Sequence, residues 1–293
     1  MKNKTKKFIT IVFNSLKHPS KVFNIILTEL AREFMKRKML IMSNLFSPKI
    51  TKQSLLKQLR ETKIKIGNDD ESIFYGKRVA LVGPAFVGML SDDLSEYDLI
   101  VRVGFTGKMS VYENDKGRCD VSFIADWHAT HIVQNISKLK SELEGTVFYL
   151  RSDVKNFHKL ELSKEFKCVD FPIIDVNKLF GRVTPNFGVQ IIYFLLSVSP
   201  KELYISNMDL NTSLSRPTEY ATNKKVLIND KRLVHSKETM KNSFINHHNP
   251  FTSFTFFLTI QQFETVTFSH ELNELISNGV KKYRKRIKHL FTN

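Results

Sequence analysis

The chain has 293 residues, of which 42% are hydrophobic and 11% aromatic, enough for one large α/β domain with appended segments or for two small domains, and too apolar for wholesale disorder. Its formal net charge of +16 points to an anionic partner: nucleic acid, an anionic membrane surface or a phosphorylated substrate. Two cysteines, Cys119 and Cys168, exclude a disulfide framework, and no Cys/His cluster has zinc spacing, so a reducing cytosolic setting is expected.

The positive charge belongs to the two ends. Residues Met1–Ile66 hold sixteen Lys/Arg against Glu29, Glu33 and Glu61. The apolar run Phe8–Phe13 is short, is interrupted by Asn14 and precedes no small-residue cleavage site, so no signal peptide is expected. Within Lys21–Ser43, Val22, Phe23, Ile26, Leu27, Leu30 and Phe34 recur at helical spacing among lysines and arginines. Such a helix either packs its apolar face on the main domain or lies on anionic lipid. The cluster Gly67-Asn68-Asp69-Asp70-Glu71 marks the start of an α/β domain expected over 67–274.

Short β-branched and apolar runs then recur at Arg78–Val82, Leu99–Val103, Asp120–Ile124, Thr146–Leu150, Cys168–Phe171 and Leu203–Ser206. Helical patterns at Ile132–Leu143 and Gly188–Ser197 lie between them. This alternation predicts an α/β fold: a Rossmann-like, mostly parallel sheet with helices on both faces, of GT-A-like type. Ligands of such sheets sit at the carboxyl ends of the strands. The run Phe251–Ile260 contains Thr and Ser and is far shorter than the ~20 residues of a membrane span. The end of the chain, 275–293, is a basic helix or a solvated tail, with its charge densest in Lys281–His289.

Three segments stand out as candidates for chemistry. The run Arg78–Val82 stops at Gly83-Pro84-Ala85, a strand end where unpaired backbone N–H groups suit a phosphate. A second turn, Pro185-Asn186-Phe187-Gly188, opens the apolar helix before Leu203–Ser206, which ends in Asn207-Met208-Asp209. Taken alone it also suits an ordinary loop–helix–strand unit. The third segment is Val234-His235-Ser236-Lys237-Glu238. His128, His131, His158, His247 and His248 carry no such pattern, and His270-Glu271 is the rival position for a catalytic histidine.

In order and spacing, these segments resemble the sialylmotifs of the sialyltransferases of glycosyltransferase family 29. Ala80–Ala85 matches the V-G-N-S turn of the first motif, Tyr97–Gly104 its H-D-x-V-x-R-x-N strand with Arg102, and Gly117-Arg118 its closing G-x-R. Pro185–Gly188 with Leu203–Asp209 matches the second motif, and His235 with Glu238 the last. Pro84 and Gly104 replace the two asparagines of the first motif, Phe187 stands where threonine is usual, and the motif-bridging cysteines are missing.

The resemblance implies a metal-independent, inverting transferase that moves a nonulosonate-type sugar (sialic acid or Kdo-like) from a CMP donor to a glycan or glycolipid acceptor. It implies no cofactor beyond the donor, with His235 as general base. Glu238 would either orient its imidazole or cap a helix. Gly83, Pro84, Ala85, Arg102, Gly104, Asn186, Phe187, Gly188, Asn207, Asp209 and Tyr220 would line the donor site. No D-x-D occurs, so the metal clamp of diphosphate-sugar transferases has no candidate. A bacterial enzyme of surface polysaccharide synthesis is expected, cytoplasmic and peripheral at the inner leaflet, its basic ends on the anionic membrane. No nucleic-acid partner is expected, since few aromatics interleave the basic blocks. Two alternatives stay open: a UDP- or GDP-sugar transferase, and a basic nucleic-acid-binding α/β protein.

Overall fold

Seven short strands pair into one sheet in the computed structural model, and every pairing is parallel. They are β1 (Arg78–Val82), β2 (Leu99–Val103), β3 (Val121–Ile124), β4 (Val147–Leu150), β5 (Cys168–Asp170), β6 (Glu202–Ser206) and β7 (Val266–Phe268), in the order β5-β4-β3-β2-β1-β6-β7. Among the described residues the helices are α1 (Lys52–Ile66), α2 (Asp126–Gln134), α3 (Ile136–Leu139), α4 (Asn156–Glu165), α5 (Asn177–Phe180), α6 (Phe187–Ser197), α7 (Pro250–Ile260), α8 (His270–Ser277) and α9 (Gly279–Thr292). The structure describes residues 50–66, 72–84, 93–107, 118–172, 177–180, 185–208, 210 and 250–292.

The chain is an α/β protein with a Rossmann-like sheet. From the central β1, the chain first builds outward through β2, β3, β4 and β5, then returns to add β6 and β7 on the other side. The order therefore reverses between β1 and β6, and such a reversal opens a crevice at the carboxyl ends of the two strands. Register fixes what meets there, with Val82 opposite Ser206 on one side and Arg102 on the other.

Alternation along the strands sends residues to two covered faces. Ile124, Phe148 and Leu150 face α2 and α4 and pack with Ala129, Ile132 and Leu162. Phe123 and Tyr149, one position along, join Phe74, Phe171 and Phe194 of α6. Helix α1 packs against α6, where Thr62 Oγ1 and Tyr193 Oη share a buried hydrogen bond of 2.8 Å. Thr259 of α7 donates to the carbonyl of Ile50.

Several elements depart from the sequence reading. The helix expected at Ile132–Leu143 starts at Asp126, directly after β3, and breaks at Asn135, whose φ of −126° is non-helical and whose amide bonds the carbonyl of His131. The apolar run at Phe251–Ile260 is α7, with Phe254, Phe256, Phe257 and Ile260 buried. The C-terminal pattern is two helices, because Gly279 takes a φ of +71° between them. Charge changes at Ile66–Gly67, but packing places Lys52–Ile66 inside the compact unit Pro48–Asn293, with Leu55, Leu59 and Thr62 buried. Among the described residues, no helix is long and apolar enough to cross a membrane. The expected helix at Lys21–Ser43 lies outside the described residues.

Candidate functional site

The carboxyl edge gathers most of the described candidates. At the end of β1, the Gly83 N–H donates to the carbonyl of Ser206 at 2.9 Å, tying β1 to β6 past the last ladder pair. A Cβ built on Gly83 would lie 2.3 Å from the carbonyl oxygen of Asn207 and 2.8 Å from the Met208 sulfur. Only glycine lets the two strand ends approach this closely. Its amide is engaged within the protein, so any phosphate donors must come from elsewhere at this edge.

Gly188 meets the same side chain. A Cβ there would be 3.2 Å from Met208 Cε, so Met208 lies between the two glycine turns that the sequence singled out. Pro185 is buried ahead of α6, and Asn186 caps the helix by accepting the Val189 N–H at 2.9 Å. Gln190 closes the turn from inside, donating to the Pro185 carbonyl. Capping at Val189 leaves the amides of Phe187 and Gly188 as the first-turn donors with no acceptor inside the helix.

The end of β6 is unusual in its backbone. Asn207 takes a φ of +52° and Leu210 one of +47°. Asparagine tolerates the left-handed region, whereas a leucine is held there only by its surroundings. Leu210 is buried, and its carbonyl accepts the hydroxyl of Tyr283 at 2.6 Å. Just before this turn, Ser206 is fully buried and its Oγ has no hydrogen-bond partner among the described residues. An orphaned hydroxyl costs about 1–3 kcal/mol unless something bonds it.

Two other members of the first motif, Arg102 and Gly104, make described contacts within the fold. Arg102 is 2% exposed, donates from Nε to the carbonyl of Arg118 at 2.9 Å and lies over the Phe105 ring. Gly104 has a φ of +74°, and a Cβ there would be 2.1 Å from Nε2 of His128. That imidazole is fixed from behind, since its Nδ1 accepts the N–H of Ala125 at the start of α2. Ala85, Asp209, Tyr220, His235 and Glu238 lie outside the described residues.

Sequence reasoning missed two further groups at this edge. Arg151, just past β4, pairs with Asp153 and holds its guanidinium 4.9 Å from the centre of the Phe187 ring. Hydrogen bonding from Arg151 is the main reason the Asp153 carboxyl is held below its ordinary range. Asp126, after β3, accepts from His158 Nδ1 at 2.8 Å and from the Lys155 N–H at 3.0 Å. Burial pushes the Asp126 carboxyl up, but those two bonds and the nearby charges of His158 and Lys155 together hold the group low. The signal was available: Asp, Arg and Asp each follow an apolar run at the end where polar groups collect. Among the described residues, no three His, Cys, Asp or Glu side chains gather as a metal site would need.

No family model and no curated protein matches the chain, so its reading rests on the fold and on this edge.

Proposed function

We propose that the chain transfers a nonulosonate-type sugar acid from a CMP donor to a glycan or glycolipid acceptor, with inversion and without a metal. One observation carries the reading: Gly83 and Gly188, far apart in sequence, close on the same Met208 at the strand-order reversal of a parallel sheet. Those are the two turns that the resemblance to family 29 assigns to the donor. The first-turn amides of α6, which have no acceptor inside the helix, and the dipole of that helix suit the phosphoester of a CMP-sugar, whose single phosphate leaves as a monoanionic or dianionic group.

In this reading His235 takes the proton from the acceptor hydroxyl as the new glycosidic bond forms and CMP departs, a step worth about 10²–10⁴-fold in rate. Glu238 either orients that imidazole or caps a helix, Tyr220 would contact the donor phosphate, and Asp209 would bind the acceptor or the ribose.

The test is a panel of CMP-, UDP- and GDP-sugars incubated with the full chain in EDTA and scored by nucleotide released. Release of CMP from a CMP-sugar acid, lost in His235→Ala, supports the proposal. Divalent-dependent release of UDP or GDP would assign a different donor class. Salt-sensitive retention of RNA, with no nucleotide released from any sugar, would replace the enzyme reading altogether.

A further inference from the structure

Helix α9 follows Gly279 and carries Lys281, Lys282, Arg284, Lys285, Arg286, Lys288 and His289, with no acidic residue in its length. It is not a loose tail. Tyr283 is 1% exposed, stacks on Phe254 with centroids 4.1 Å apart and meets Phe251 edge-on. Its hydroxyl bonds the carbonyl of Leu210, four residues past the end of β6. One turn of the helix is thereby clamped to the domain, and the clamp fixes which way its neighbours Lys281, Lys282, Arg284 and Lys285 point. Lys281, Lys282, Arg284 and Lys285 are all exposed, and among the described residues none forms an ion pair. Lys282 reaches only the neutral Asn278 amide oxygen. Val280 is more than a third exposed on the same helix.

We infer that this helix is the docking surface for an anionic lipid bilayer. Four exposed cations held side by side repel one another, and an anionic surface facing them relieves that repulsion. A bilayer fits better than RNA because three of the four exposed cations Lys281, Lys282, Arg284 and Lys285 are lysines, and Tyr283 between them is buried and cannot stack on a base. Juxtamembrane lysines and arginines are attracted to acidic lipid at close range and lose that attraction in salt. Docking would also place the Leu210 end of β6, and with it the crevice edge, at a fixed height above the bilayer. The inference stands apart from the transferase reading and is read without turnover.

The experiment is sedimentation of the full chain with vesicles of pure phosphatidylcholine and of phosphatidylcholine containing phosphatidylglycerol. The triple variant Lys281→Glu, Arg284→Glu, Lys285→Glu is compared with wild type, with far-UV circular dichroism confirming that both are folded. Wild type should bind the anionic vesicles and not the neutral ones, and binding should fall steeply with salt. The triple variant should bind about 100-fold or more weakly, since each residue contributes on the order of a fivefold attraction. Undiminished binding of the folded triple variant would overturn the assignment, as would equal binding to neutral vesicles. Retention of RNA by wild type without vesicle binding would overturn it in favour of a nucleic acid. If the triple variant does not fold, the milder Lys281→Gln, Lys285→Gln pair answers the same question with a smaller expected loss.

Discussion

On one face of the sheet, Phe123, Tyr149, Phe171 and Phe194 meet ring to ring, with centroids 4.8–5.9 Å apart. Further along the same strands, at the carboxyl edge, glycines, an orphaned serine and paired charges take over. The face is held by apolar area and tolerates no loss of volume. The edge is held by close backbone approaches and tolerates no gain. Substitutions at the two places therefore fail for opposite reasons.

The largest effect on stability should come from emptying the face. Phe123→Ala removes a ring that is 0% exposed and touches four other aromatics, and should cost about 3–5 kcal/mol. Chemical denaturation would read this as a lower midpoint at unchanged slope. A cost well under that range would mean that the neighbouring rings collapse into the space.

Filling the edge should cost somewhat less. Gly104→Ala adds a methyl at a positive φ and against the His128 ring, together about 2–4 kcal/mol. Adding His128→Ala to this variant should recover the steric part and leave the conformational part, so the double-mutant cycle must show coupling. Strict additivity would show that the ring is not what excludes a side chain at Gly104. Gly83→Ala forces a carbon onto the Asn207 carbonyl and should cost about 1–3 kcal/mol.

The smallest effect is the pH dependence at Asp126. Its folded pKa is held below the unfolded value, so its contribution is complete above about pH 4 and is lost as pH falls through the lower folded value. Asp126→Asn should flatten the acid limb of a thermal-stability profile below about pH 4, by less than about 1 kcal/mol. An unchanged limb would place the acid sensitivity in other carboxylates.

The contrast also explains what could be read from the chain. Strands on a two-faced buried sheet are continuous apolar runs, and all six expected strands are present; among the described strands, Val266–Phe268, three residues long, escaped notice. Helix α2 was misplaced because its opening Asp126-Trp127-His128 owes its conformation to the end of β3 rather than to apolar spacing. Gly83 and Gly188 were legible because a strand or helix boundary at glycine marks a close approach. What they approach was not legible: Met208 and the Asn207 carbonyl reach them through tertiary folding alone. Arg102 and Gly104 carry the letters of a donor motif, and the contacts described for them, with Arg118, Phe105 and His128, are tertiary and could not be read from short-range spacing.

The central claim is that a cytidine nucleotide occupies the crevice where β1 and β6 part. A crystal structure of the full chain with CMP tests it most directly. The account predicts the phosphate at the amides of Phe187 and Gly188, beside the Gly83 turn, with Met208 displaced or packed against the nucleotide. CMP bound at another edge of the sheet, with Met208 still closed between Gly83 and Gly188, would contradict it.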